Sequence, residues 1–314
     1  MKVNVGSGQS WSITTFPSNR TASWLVVYPQ SGTGPATVNI AASAAGLDNG
    51  LHQATLVVQS VNSLPEFIPV TLNFVVGRPQ ITSIVNGASL TNTGLSPGLI
   101  FTLFGNGLGP DAGQTLQLDT NGNVAGNLSG ISVTVNGSYS PLLYVGQGQI
   151  NAVAPYEIAG NAGGTAQVQV INNGVVSATS NVNVVATAPA IFSLGNGQGA
   201  ILNQDGTVNG PGNPAARGSV VSIYGTGEGQ TNPPGVDGAI ANETLAGLPR
   251  PAAPFSISIG GIPASYTYAG TAPQSFAGFF QVNAVIPANA GPGNVPVVLV
   301  VGGVSSKSLN VVVR

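Results

Sequence analysis

Cysteine is absent from this 314-residue chain, histidine occurs once, and charged side chains make up only 5% of it. Each absence excludes something. Without cysteine there is no disulfide framework and no thiolate metal centre. A single histidine, His52, leaves a Ser-His-Asp triad with one possible imidazole, and only Asp48 lies near it in sequence. A net charge of −2 provides no basic patch for phosphates, so nucleic acid is not an expected partner. The same weak charge puts little electrostatic opposition in the way of self-association. No apolar run approaches the roughly 20 residues of a membrane span. No segment keeps a helical period for three turns, so any helix is expected to be a single turn.

What is present is glycine (45), proline (23) and a hydrophobic fraction of 42%. Disordered chains are poor in apolar residues, so this composition reads instead as many short strands joined by tight turns. The length suits two or three domains with real cores. The Asn/Thr/Ser/Gly/Val-rich surface and the lack of cysteine point to a bacterial exterior. Met1–Val5 alternates like a strand and does not open with a signal peptide, so an exported protein is expected here in mature form.

An internal repeat organises most of the chain. Pro97–Gly109 reappears as Arg217–Gly229, each a strand running into a Gly-x-Gly-x-Gly loop. Ile131–Gly137 matches Ile257–Gly261, Gln149–Pro155 matches Gln281–Pro287, and Asn173–Ser177 matches Gly302–Ser305, all in the same order. Residues 78–187 and 188–314 therefore read as two copies of one domain. Asn136-Gly137 and Gly260-Gly261 supply the positive φ that tight hairpins need. About seven short strands per copy, with turns every 8–12 residues or so, is an immunoglobulin-like pattern. Residues 1–77 form a third unit of alternating runs, joined through Gly77-Arg78-Pro79. The expected architecture is all-β, three tandem immunoglobulin-like β-sandwiches in an extended rod.

Two resemblances follow from these residues. Trp11-Ser12, Trp24-Leu25, Ser31-Gly32-Thr33-Gly34-Pro35-Ala36-Thr37-Val38, Ala45-Gly46-Leu47 and Ile68-Pro69-Val70-Thr71-Leu72 resemble a BACON domain, with its usual first strand missing. That resemblance implies an immunoglobulin-like module proposed to bind carbohydrate or mucin. Residues 78–314 resemble the tandem C-terminal module of large acidobacterial (Solibacter-type) surface proteins. Val85-Asn86-Gly87-Ala88-Ser89, Gln149-Ile150-Asn151, Ala200–Asn209, Pro214–Gly218 and Gln281-Val282-Asn283 carry it. It implies architecture and habitat, and brings no catalytic or binding residue with it.

The chemistry-bearing side chains are few. The acids are scattered, and their best cluster, Glu228, Asp237 and Glu243, reads as a solvated loop in an insertion of the last copy. The glycine-rich loops 105–109, 195–199 and 225–229 lack the Lys-Ser/Thr or following helix of a phosphate cradle, and read as strand-end turns. No cofactor is expected. Calcium is the ion best served by what exists, through Asp119 with Asn121 and through Asp205, yet neither stretch has the glycine and glutamate of an EF-hand loop. Lys2 and Lys307 are the only lysines available for an isopeptide crosslink. For carbohydrate, Trp11 and Tyr28 are the candidate platforms, while Trp24 reads as core. Phe276, Phe279 and Phe280 form a second aromatic cluster.

Two functions are expected, neither of them enzymatic. The first is an extracellular structural or adhesive surface protein, possessing exposed sheet edges through which it polymerises into filaments by strand exchange, with Met1–Val5 and Leu309–Arg314 as donors and itself or neighbouring surface proteins as partner. The second is a carbohydrate-binding accessory module of a larger exported protein, with polysaccharide as partner.

Overall fold

The computed structural model describes the whole chain except residues 17–22, 48–49, 62–64 and 243. It is almost entirely β. Among the described residues the one helix is a 3-10 segment, Tyr156–Asn161. The chain divides into two compact units, Met1–Arg78 and a larger one holding Pro79–Asn172 and Val176–Arg314, with Asn173–Val175 grouped with the first.

Unit 1 is built on a four-stranded antiparallel sheet in the order Ser31–Thr33, Ser10–Phe16, Gly50–Gln59, Phe67–Val76. Period-2 alternation decides which side chains enter the core: along Ser10–Phe16, Trp11 and Ile13 are buried while Ser10, Ser12 and Thr14 face water. Trp11 and Ile13 join Val3, Val27, Val38 and Leu56. Two ribbons complete the unit, Lys2–Val3 with Ala36–Thr37 and Leu25–Tyr28 with Asn39–Ala42.

In unit 2 the first half packs two antiparallel sheets around one core. One runs Gln114–Thr115, Leu142–Val145, Gln149–Val153, Ile100–Asn106, Gln80–Asn86; the other contains Ser138–Tyr139, Ile131–Val135, Thr165–Asn172 and Ser180–Asn183. Phe101, Leu103 and Ile150 from the first meet Val133, Val168 and Val170 from the second, all fully buried. The second half repeats the plan, with Ile223, Phe280 and Val282 against Ile259, Val297, Leu299 and Val311.

The repeated motifs have physical reasons. Asn151 Oδ1 accepts from Thr102 Oγ1 (3.1 Å) and Gln149 Nε2 (2.9 Å); Asn283 Oδ1 accepts from Ser222 Oγ (3.0 Å) and Gln281 Nε2 (2.8 Å). The Gln-x-Asn pattern is thus a cross-strand amide clamp made twice. The hairpin glycines behave as the sequence implies, with Asn136 and Gly137 at φ 52° and 90° and Gly260 and Gly261 at 66° and 73°. The glycines at 225, 227 and 229 do something further. A Cβ at each would strike the carbonyl oxygen of Ala190, Ala188 or Ala186, so the alternate glycines let two backbones lie against each other.

The two halves of unit 2 share buried hydrogen bonds. Thr226 Oγ1 accepts from the Ile100 N–H (2.8 Å) and donates to the Gly278 carbonyl (2.9 Å). Asn86 Nδ2 reaches the Ala188 carbonyl at 2.9 Å, and the Val124 N–H donates to the Gly238 carbonyl at 2.8 Å.

Both segments expected to serve as strand donors are already used at home. Lys2–Val3 pairs with Ala36–Thr37, Val3 is buried, and the Met1 amino group donates to the Val38 carbonyl at 2.9 Å. Leu309–Val313 pairs with Gly293–Val301 on one side and meets Gln198 on the other, with Val311 and Val313 buried. Donating either would expose core valines and break a formed ladder, which counts against strand exchange from the termini.

Candidate functional site

Of the two aromatics marked as platforms, the structure exposes one. Trp11 is 3% exposed. Its indole N–H donates to the Gly34 carbonyl at 3.0 Å, and its ring lies so close to Gly32 that a Cβ there would sit 2.7 Å from Cζ2. A ring covered in this way offers no face to a sugar, which corrects the expectation of a Trp11 platform. Trp24 is buried, as its apolar neighbourhood implies, and stacks on Phe74 at 5.5 Å and 10°.

Tyr28 is 72% exposed. It ends the strand Leu25–Tyr28, whose alternation sends Val27 into the core and Val26 and Tyr28 outward. Val26 is 61% exposed. Across the ribbon Asn39 lies opposite Tyr28 and Ala41 opposite Val26, and both are exposed. The result is one outward face carrying a phenol ring, a flanking apolar side chain, an amide and a small residue that leaves the ring uncovered. An aromatic face beside an amide is what a pyranose needs, the ring for its C–H face and the amide for its hydroxyls. The sequence signal for Val26 and Asn39 is the same alternation that marks the strands, once the inward residue Val27 is known.

The other aromatic group is organised differently. Phe280 is fully buried in the core of the second half. Phe279 is half-buried and boxed in by Tyr224 (5.6 Å, 18°), Phe192 (5.6 Å) and Phe276 (5.7 Å). Those rings spend their faces on one another, which makes a satellite core beneath a loop. Two hollows, one of about 240 Å³ in unit 1 beside Met1–Val5 and one of about 250 Å³ beside Pro233, Pro234 and Leu248 in unit 2, have no aromatic lining residue.

The acidic cluster is not a solvated loop. Glu228 is completely buried, and among the described residues its carboxyl oxygens find no hydrogen-bond partner beyond its own backbone N–H. Burial pushes its pKa up to about 8, so it is mainly the neutral acid at pH 7. Asp237 accepts from the Tyr156 N–H at 2.9 Å, and its carboxyl is raised by burial against that hydrogen bond. The Tyr156 phenol is raised well above the usual tyrosine range, by burial first, then by Glu228 and Asp237. Tyr268 is pushed up to about 12 by burial, with Arg250 over its ring at 5.5 Å opposing the shift. Glu243 lies outside the described residues. A glycosidase needs two carboxyls facing an open cleft, and Glu228 faces none.

The weak calcium positions are closed turns. Asp119 Oδ1 accepts from the N–H groups of Asn121 (2.8 Å) and Asn123 (2.9 Å). Asp205 Oδ1 accepts from Thr207 N–H and Oγ1, which holds its carboxyl below the usual range. Among the described residues no three His, Asp or Glu side chains gather as metal ligands. His52 places its ring 6.4 Å from Trp24, and Asp48 lies outside the described residues. Lys2 and Lys307 are exposed, so neither supplies the buried amine of an isopeptide crosslink. Among the described residues no helix is long and apolar enough to cross a membrane.

The chain matches no protein-family model and no curated protein. Among solved structures it is similar to the SGBP-B protein of the mixed-linkage glucan utilization locus of Bacteroides ovatus, solved with a mixed-linkage heptasaccharide, at 13% identity and a TM-score of 0.31. It is also similar to SGBP-B from a complex xyloglucan utilization locus of Bacteroides uniformis, at 12% identity and a TM-score of 0.24. The alignments cover 100% and 75% of this chain and only 63% and 49% of those proteins. Both neighbours are structurally remote at these scores.

Proposed function

We propose that the chain is a non-enzymatic, exported surface protein that binds polysaccharide, and that the Tyr28 face of unit 1 is its binding platform. The observation that carries this reading is the 72% exposed Tyr28 ring on the outward face of a two-stranded ribbon, flanked by Val26 and Asn39. The reading agrees with the resemblance of residues 1–77 to a module proposed to bind carbohydrate.

Affinity electrophoresis of the intact chain through a panel of polysaccharides tests it. Retardation by at least one neutral polysaccharide is expected. Tyr28→Ala should abolish the retardation while leaving the circular dichroism and melting temperature unchanged, because an exposed ring at a ribbon end contributes little to packing. Free migration through every gel would overturn the proposal, as would equal retardation of the variant.

A further inference from the structure

The two halves of unit 2 treat one sheet edge in opposite ways. The edge strand is Ser180–Asn183 in the first half and Leu309–Val313 in the second. The two are equivalent: Leu95 bridges Val184 in parallel as Ala215 bridges Val313, and Gln167 lies opposite Asn181 as Pro296 lies opposite Asn310.

In the second half the outer edge is covered by the chain itself. The Asn310 N–H donates to the Gly197 carbonyl at 2.8 Å. The Val312 N–H donates to Asn209 Oδ1 at 2.7 Å, and its carbonyl accepts from Asn209 Nδ2 at 2.9 Å. These partners come from the stretch between Ala190 and Arg217. The first half spans the corresponding points, Gln80 to Pro97, with a shorter connection.

Where the covering segment would lie, the first half has a groove of about 360 Å³. Ile81, Ile84 and Val85 line one wall and Asn181, Val182 and Asn183 the other. Each wall is the last strand of its sheet: Gln80–Asn86 pairs with Ile100–Asn106, and Ser180–Asn183 with Thr165–Asn172. The Asn183 carbonyl accepts from the Leu95 N–H, outside that ladder. In an antiparallel ladder residues two apart direct their backbone groups to the same side, so the Asn181 N–H also faces outward. None of the described residues lining the groove is ionisable.

We propose that this groove binds an extended, uncharged polypeptide segment, which adds to Ser180–Asn183 in parallel and presents a carbonyl to the Asn181 N–H as Gly197 does to Asn310. The second half shows the chemistry of the occupant: Gly197-Gln198-Gly199 is small and uncharged, matching a groove without charge. This chain's own segment of that chemistry, Gly197-Gln198-Gly199, is already engaged with Asn310, so a second copy has it in use and the occupant is a segment of a different polypeptide. Main-chain hydrogen bonds along a sheet edge provide the affinity, and the small residues allow close approach.

The test is a titration of the full chain with a labelled peptide of the sequence Phe192–Leu202, followed by fluorescence anisotropy. Saturable binding is expected, weakened at least about tenfold in Asn181→Pro. Proline at that position removes an outward N–H and spares the ladder to Thr165–Asn172, which unchanged circular dichroism verifies. Hydrogen exchange of the Asn181 amide in the unaltered chain reads the same contact without substitution, and it should slow when peptide is present. No binding at millimolar peptide, equal binding by Asn181→Pro, or an unchanged Asn181 exchange rate at saturation would each overturn the proposal. Dimerisation of the chain that Asn181→Pro abolishes would overturn it too, by giving the groove to a second copy.

Discussion

Replacing Glu228 by glutamine should change how the stability of unit 2 depends on pH. The carboxyl is fully buried with no hydrogen-bond partner among the described residues beyond its own backbone N–H, and its pKa rises from an ordinary 4.5 to about 8. Between those values the folded chain keeps a proton that the unfolded chain has released. Stability therefore falls as pH rises through that window, by about 1.4 kcal/mol per unit, and levels off above it. From about pH 4.5 to pH 7 the loss is on the order of 3 kcal/mol. Glutamine keeps the shape and cannot ionise, so its own unsatisfied amide brings a penalty that does not vary with pH. Asp237 is also raised by burial and contributes a slope of the same sign to both proteins, so the difference between them isolates Glu228. Urea unfolding followed by circular dichroism at several pH values between about 5 and 8 measures it. The wild-type midpoint should fall across this range more steeply than that of Glu228→Gln, and the variant should be relatively more stable at the alkaline end. Parallel profiles would refute the buried-acid argument.

Two other substitutions probe the packing. Gly32→Ala would drive a methyl group into the Trp11 ring, and a loss of about 1–3 kcal/mol in urea unfolding is expected, followed by tryptophan fluorescence because both tryptophans lie in unit 1. An unchanged midpoint would mean that Trp11 is not held against that strand. Thr226→Val removes the hydroxyl that joins the Ile100 N–H to the Gly278 carbonyl, leaving both buried groups without it. A loss of about 2 kcal/mol is expected in calorimetry, and a neutral result would show that the two halves do not depend on that bond.

The β character, the repeat and the turns were legible because they are local. Alternation separates Trp11 and Ile13 from Ser10, Ser12 and Thr14, and Asn136-Gly137 and Gly260-Gly261 specify their hairpins without outside help. What escaped is tertiary. Alternation says that Met1–Val5 and Leu309–Val313 are strands, and it does not say that their partners lie in the same chain. Trp11 and Trp24 look alike in sequence, and only the positions of Gly32, Gly34 and Phe74 show that both are enclosed. Glu228 between two glycines reads as a loop residue. Its charge acts on phenols remote in sequence, Tyr156 in the first half and Tyr268 in the second, a neighbourhood that no local pattern marks. Tyr28 is exposed, but the face it belongs to needs Asn39 across the ribbon, and register between strands is a property of the fold.

The most direct test of the central claim is a hydrogen-exchange footprint of the chain with and without the polysaccharide that retards it most in affinity electrophoresis. The account predicts slowed exchange confined to Leu25–Tyr28 and Asn39–Ala42, absent in Tyr28→Ala. Protection elsewhere, with this ribbon exchanging at its free rate, would contradict it.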